Sequence, residues 1–207
     1  MMTVETPVLP RDMPKLKSPF VRDTIKGRYL VTPEIAEDYE WVFEDDTVMA
    51  IEKLDGTNVS VITQARRPIR VFNRTTEIPF YSNDRIFITM GMLESFTRGY
   101  TDLPSGQHFG ELIGPKVQGN GYDLPAHLWI PFGTYAKKHL RYKTWGRYPK
   151  TFEAISAWFR EDLHSLFYMR IHKGAHHPAE GIVFTHPDGR MAKLRRNMFD
   201  WYGGKRR

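Results

Sequence analysis

The sequence predicts an α+β fold of mostly antiparallel strands, and three observations carry that prediction. Short β-favouring runs are separated by turn-forming residues, two segments change to a helical period, and Pro187-Asp188-Gly189 joins two late strands as a hairpin. Residues 1–28 hold several prolines and little periodicity and read as an irregular lead-in. A helix is expected over Pro33–Trp41, with Thr32 as its N-cap. Thr47–Leu54 and Val59–Gln64 then read as strands separated by the turn residues Asp55-Gly56-Thr57-Asn58, and Ile69–Arg74 as a third. Within 82–97, Ile86, Met90 and Leu93 recur at i, i+4 and i+7 behind the cap cluster Ser82-Asn83-Asp84, which predicts a helix.

Further along, Phe109–Ile113 reads as a strand and is followed by the Gly-rich stretch Gly114–Gly121. Leu128–Tyr135 is the next strand candidate. Thr151–Phe167 has the clearest amphipathic pattern, with Ile155, Trp158, Phe159, Leu163 and Leu166 on one side and Thr151 as cap. Glu180–His186 and Arg190–Arg195 complete the hairpin.

A chain of 207 residues suits one domain, 1–207, ending in a basic tail over 203–207. Hydrophobic residues make up 41% and charged residues 26%, which excludes a disordered chain. No apolar run approaches the roughly 18 residues of a membrane span, and the N-terminus lacks a secretory pattern. There is no Cys, hence no disulfide and no thiolate metal site. These features point to a cytoplasmic protein. The net charge of +6 is consistent with a polyanionic partner, and residues 193–207 hold six cations against the single acid Asp200.

The candidate chemistry centres on Lys53 in Glu52-Lys53-Leu54-Asp55-Gly56-Thr57-Asn58, at the end of a strand and beside a tight turn. A lysine held there has little freedom, and its amine can sit close to a phosphate. Downstream, Glu180 opens an apolar strand, while Lys193 and Arg195 lie at i, i+2 on its hairpin partner and therefore on one face. A lysine attacks phosphorus only when neutral, and a free side chain with a pKa of about 10.4 is well under 1% neutral at pH 7. Burial and nearby cations favour the neutral amine. Glu180 is the natural carboxylate for a Mg²⁺ shared with nucleotide phosphates, and Lys193 and Arg195 form a phosphate clamp.

The order Lys53-x-Asp55-Gly56, Glu180-Gly181-Ile182-Val183, Lys193-x-Arg195 resembles motifs I, IV and V of the nucleotidyltransferase superfamily of ATP-dependent polynucleotide ligases and capping enzymes. Glu52-Lys53-x-x-Gly56-Thr57-Asn58 and Phe109-Gly110-Glu111-Leu112-Ile113-Gly114-Pro115-Lys116-Val117-Gln118-Gly119-Asn120 are similar to its RNA ligase 2 (phage T4-type) branch. The resemblance runs over residues 14–199. It implies a nucleotidyltransferase core of two antiparallel sheets with flanking helices, and an ATP-dependent RNA ligase that joins a 5′-phosphate to a 3′-hydroxyl. It implies ATP and Mg²⁺, with Mn²⁺ as a substitute, and RNA ends or nicks as partners. Lys53 becomes the lysyl–AMP nucleophile, Glu52 lies at the adenine pocket, and Arg74 contacts phosphate or the nucleic-acid end. Glu111 binds the ribose hydroxyls, Phe132 stacks on adenine, Glu180 and Asp55 serve the metal, and Lys193 touches the α-phosphate.

Two positions depart from the pattern. Arg195 stands where motif V usually has a second Lys, and Asp55 stands where the phage enzyme has His. Only 12 residues follow Arg195, so the expectation is a bare catalytic core with no room for an OB or helical C-terminal domain, for which a protein partner is one possible replacement. The alternatives are a DNA ligase core, a capping-type guanylyltransferase and, in another class, a non-sealing module that binds nucleic-acid ends. His172, His176 and His177 surround Lys173-Gly174-Ala175 with no Cys beside them and read as a polar loop rather than a zinc site. Gly114–Gly121 lacks the Gly-Lys-Ser/Thr ending of a P-loop; its Lys116 and Asn120 suit either nucleic-acid contact or a structural turn.

Overall fold

A computed structural model describes residues 9–81, 83–99, 103–147 and 149–203. In chain order the elements are β1 (Phe20–Ile25), β2 (Arg28–Ile35), α1 (Trp41–Glu44), β3 (Met49–Lys53), β4 (Thr57–Gln64), β5 (Arg67–Asn73), β6 (Thr76–Ile78) and α2 (Ile86–Thr97). There follow β7 (Gly106–Ile113), β8 (Leu128–Pro131), α3 (Thr134–His139), α4 (Phe152–Glu161), α5 (Leu166–Ile171), β9 (Gly181–Thr185) and β10 (Met191–Arg195). The result is a mixed α and β chain in which every ladder between the named strands is antiparallel. It divides into two compact units, Met1–Pro14 with Asp55–Tyr135, and Lys15–Leu54 with Ala136–Arg207. No helix among the described residues is long and apolar enough to cross a membrane.

The first unit is a five-stranded sheet in the order β6-β5-β4-β7-β8. Alternation sends Val59, Val61, Val71, Ile78, Leu112 and Trp129 to one face, where they pack with Ile88 and Met92 of α2. Asn58, Ser60, Phe109, Glu111 and Ile130 occupy the other face. Residues 11–13 lie over that second face: Gln107 exchanges hydrogen bonds with the Arg11 backbone, and Asn58 reaches Met13 Sδ.

The helix over 82–97 forms, but its buried side is not the stripe the sequence suggests. Met90 is 58% exposed, and Ile86 and Leu93 are also exposed, whereas Met92 is 0% exposed. The helix is apolar nearly all round, so small residues choose the packed side. Gly91 lets Leu112 close in, since a Cβ there would lie 2.6 Å from Leu112 Cδ1. Ser95 Oγ donates to Gly91 O and accepts from Trp129 N at 2.8 Å. The N-cap position is Arg85, with no side-chain cap; Ser82 lies outside the described residues.

The second unit holds the β1–β2 hairpin and a three-stranded sheet ordered β10-β9-β3. Ala50, Phe184, Ile182, Ala192 and Leu194 face a core shared with Val42, Phe159, Leu163 and Phe199. Four expectations are corrected here or at its border. The lead-in contains β1, and the expected helix over Pro33–Trp41 is replaced by the end of β2 and the short α1. Lys26 and Gly27, both at positive φ, make the two-residue turn that pairs Arg28–Ile35 with Phe20–Ile25. Pro33 is tolerated because β2 pairs on one edge only.

The strand expected over Leu128–Tyr135 stops at Pro131, and α3 starts at Thr134. The helix expected over Thr151–Phe167 is two helices. Thr151 Oγ1 caps α4 through Ala154 N as anticipated. Around 163–165 the backbone leaves the helix to pair with 177–179: Ser165 N donates to His177 O at 2.7 Å and Ala179 N to Leu163 O at 3.0 Å. Ser165 then caps α5. The β9–β10 hairpin forms as read, with Gly189 at φ 96° in its turn. Of the basic tail over 203–207, only Gly203 lies within the described residues.

The two faces of α2 give a direct test. Met92→Ala should cost about 2–5 kcal/mol in urea denaturation, while Met90→Ala should change stability by under about 0.5 kcal/mol. A larger loss in Met90→Ala than in Met92→Ala would show that the helix packs on the other side.

Candidate active site

Strand register builds the site in the second unit. Lys53 and Arg195 both pair with Gly181, from opposite sides of β9, so the ammonium and the guanidinium flank a residue without a side chain. Ile51, Val183 and Lys193 form the next row on the same face. Gly181 is required sterically, because a Cβ would collide with Leu194 O and lie 2.8 Å from Arg195 Cα.

Glu180, just before β9, ion-pairs with Lys53 Nζ and stands 3.7 Å from Arg195 Nη1. Lys53 Nζ also donates to Leu54 O at 3.3 Å. Arg195 Nε is buried without a hydrogen-bond acceptor among the described residues. Lys193 is half-buried, and its pKa is lowered from the ordinary lysine value by burial first, then by repulsion from Arg195 and Lys53, against the pull of Glu180. Lys15 adds a further repulsion on Lys193. Its segment is held on the edge of β10, where Lys193 N donates to Lys17 O at 2.8 Å. Three cations around one carboxylate, with an orphaned guanidinium N–H, make a surface suited to phosphate.

Glu52 points the other way. It is 3% exposed on the core face of β3, and its carboxylate accepts hydrogen bonds from Ser165 Oγ and from Phe167 N at 2.8 Å. Burial drives its pKa up to about 7, against the lowering effect of those hydrogen bonds. The side chain therefore anchors the start of α5 to the strand that carries Lys53. Ser165 escaped the sequence reading, although a Ser before the apolar run Leu166-Phe167 is a cap signal.

The remaining candidates belong to the first unit. Asp55 N donates to the hydroxyl of Tyr122, a residue 4% exposed that nothing local in the sequence singles out. Gly56 lies against Glu111, where a Cβ would be 2.7 Å from Glu111 Cγ. Glu111 pairs with Asn58 and Ile130, and Phe132 N donates to Phe109 O, extending the ladder one residue beyond β8. Phe132 is two residues past Ile130, so alternation puts it on the Glu111 face. Arg74 follows Asn73 in the β5–β6 turn at φ 57°, is 75% exposed, and lies 4.0 Å from Asp12.

In the Gly-rich stretch, Gln118, Gly119 and Asn120 all take positive φ. The Asn120 side chain closes the loop on Leu124, and Lys116 N donates to His127 Nε2 at 3.1 Å. His172 and His177 pack against Tyr168, and His176 against His164. Among the described residues, no group of three or more His, Cys, Asp or Glu side chains is placed to hold a metal ion.

Residues 46–200 match the family model described as RNA ligase, and the chain belongs to the RNA ligase family. No curated protein matches it in sequence. Among solved structures, a mutant of Naegleria gruberi RNA ligase with ATP and Mn is 17% identical with a TM-score of 0.46, covering 88% of this chain and 60% of its own. The same organism's RNA ligase with PPi is 17% identical with a TM-score of 0.46 over 95% of this chain and 60% of that one. A further mutant with ATP and Mn is 17% identical at TM-score 0.44, covering 91% and 61%. This chain thus spans about 60% of the length of the first of these structures.

The raised pKa of Glu52 sets a pH dependence. Between about 4.5 and about 7 the folded protein keeps a proton that the unfolded chain releases, so stability falls as pH climbs through that window. The loss is on the order of 3 kcal/mol. Thermal melts from pH 4.5 to 8 should show this slope in the wild type and a flatter one in Glu52→Gln; parallel curves would remove Glu52 as its source.

Proposed function

We propose that this protein is an ATP-dependent RNA ligase of the RNA ligase 2 (phage T4-type) branch, and that its two units work as one nucleotidyltransferase domain. The observation that carries the reading is the row Lys53–Gly181–Arg195 with Glu180 paired to Lys53 and Lys193 in the next row. Asp55, standing where the phage enzyme has His, weakens the branch assignment without harming the chemistry.

Lys53 Nζ gives up its contact with Glu180 and a proton to solvent, then forms a bond to the α-phosphorus of ATP as the bond to pyrophosphate breaks. Lys193 and Arg195 bear on the α-phosphate and the departing pyrophosphate, where their charge counts most. Arg195 presents a planar fork in place of a point charge, and its Nε, without an acceptor among the described residues, suits an anionic oxygen. Glu111 and Phe132 meet the ribose and the adenine. Glu52 serves the nucleotide indirectly, by fixing β3 and α5, since its carboxylate is fully engaged on the core face.

The donor set fits Mg²⁺ or Mn²⁺. Glu180 is a hard oxygen ligand among cations that draw phosphates, and such ions take one or two carboxylates and fill the rest with phosphate and water. Bound there, the ion would neutralise phosphate charge. AMP then passes from Lys53 to a 5′-phosphate, with Arg74 toward the nucleic-acid end, and a 3′-hydroxyl displaces AMP to seal the strand.

Incubation with α-labelled ATP and Mg²⁺ followed by a denaturing gel tests the first step. Label should attach to the wild type, vanish in Lys53→Ala, and form about 10²–10³-fold more slowly in Lys193→Ala. Label that survives in Lys53→Ala would end the proposal, and label from GTP alone would indicate a capping enzyme. Nicked duplexes with RNA or DNA on each side of the break then assign the sealed strand.

A further inference from the structure

We propose that residues 137–147 form a track for the phosphate backbone of the nucleic-acid strand, entering the Lys53 face over the edge of β3 opposite β9. The inference rests on the ligase reading for what the strand is, and on the charge and placement of this segment for where it runs.

From Leu124 to Phe152 the chain contains no Asp or Glu but six cations: Lys137, Lys138, Arg141, Lys143, Arg147 and Lys150. Lys150 is paired with Asp46 at 3.1 Å. The other five are exposed, and none forms an ion pair among the described residues. Like charges this close repel, and a protein gains nothing in stability from leaving them without acids. The five are strung along an exposed segment rather than gathered round one point, an arrangement that suits a long, evenly charged polyanion that exchanges counterions for side chains.

Backbone pairing fixes where the segment lies. Glu52 N donates to Leu140 O at 2.7 Å, Tyr142 N donates to Ala50 O at 2.9 Å, and Ile51 is bridged to Arg141. Residues 140–142 therefore occupy the edge of β3 that β9 leaves free. Leu140 and Tyr142 are buried while Arg141 is exposed, so Arg141 shares the face of Ile51, which is also the face of Lys53. A row Arg141–Ile51–Val183–Lys193 crosses the sheet, with a cation at each margin about 14 Å apart by strand spacing. Lys137 and Lys138 lie at the basic end of α3, and Lys143 and Arg147 beyond Arg141. A strand held along this edge would present its terminal phosphate to the face that carries Lys53.

The test uses the full chain and a fluorescein-labelled 20-nucleotide single-stranded RNA with a 5′-phosphate, with anisotropy read across a KCl series. Lys137→Ala/Lys138→Ala/Arg141→Ala should bind at least tenfold more weakly at 50 mM salt, with the log–log salt slope reduced by about 2. Lys26→Ala/Arg66→Ala/Arg67→Ala, which removes the same charge from other exposed positions, should bind as the wild type does. Matched thermal melts control for folding. Wild-type affinity and slope in the first variant would overturn the track, as would an equal loss in both variants. Slower Lys53 labelling from ATP in the first variant would also overturn it, by assigning these cations to the nucleotide. Tighter binding to phosphatidylserine vesicles than to RNA, lost with the same cations, would assign the surface to a membrane. Failure of the wild type to label at Lys53 sinks the ligase reading alone, because the RNA-binding comparison stands without it.

Discussion

Two consecutive ionisable residues point to opposite faces of one short strand, and the second unit depends on keeping them there. Glu52 enters the core and is satisfied by Ser165 and Phe167, while Lys53 takes the open face and meets Glu180. A slip of β3 by one residue would drive the ammonium into an apolar core and leave the carboxylate beside its like-charged neighbour, with a buried unpaired charge as the penalty. β9 on one edge and residues 140–142 on the other hold the register from both sides. The geometry of the open face therefore follows from how well the hidden one is tied.

The first unit solves a similar problem with size instead of charge. The Trp129 indole crosses beneath the sheet and donates to Val59 O at 2.9 Å. It fits because a Cβ at Gly110 would lie 2.6 Å from its Nε1. That packing sets the pairing of β4, β7 and β8, and with it the single face that carries Glu111 and Phe132. The family match covers both sheets from before β3 to beyond β10.

What could be read from the sequence was what local chemistry decides. The β9–β10 hairpin needs only alternation and a Gly-containing turn, so the approach of Glu180 to Arg195 was legible in advance. The engagement of Glu52 was not, because Ser165 lies 113 residues away. The break between α4 and α5 was hidden for the same reason, being forced by pairing with 177–179. For α2 the periodicity was present and misleading, since an apolar helix leaves the choice of face to Gly91 and Ser95. Pro33 by residue type signals a helix start, because its tolerance in β2 depends on a strand pairing that residue type does not reveal.

Gly181 bears on how such a site can change over time. Ile51, Val183, Lys193 and Arg195 on the same face have side chains that can be exchanged and retuned, but this position is closed by backbone on the neighbouring strand. Variation in what the open face accepts must therefore arise at its margins, among residues such as Lys193, Arg195 and Arg141. The floor of the site is left as the part least able to drift.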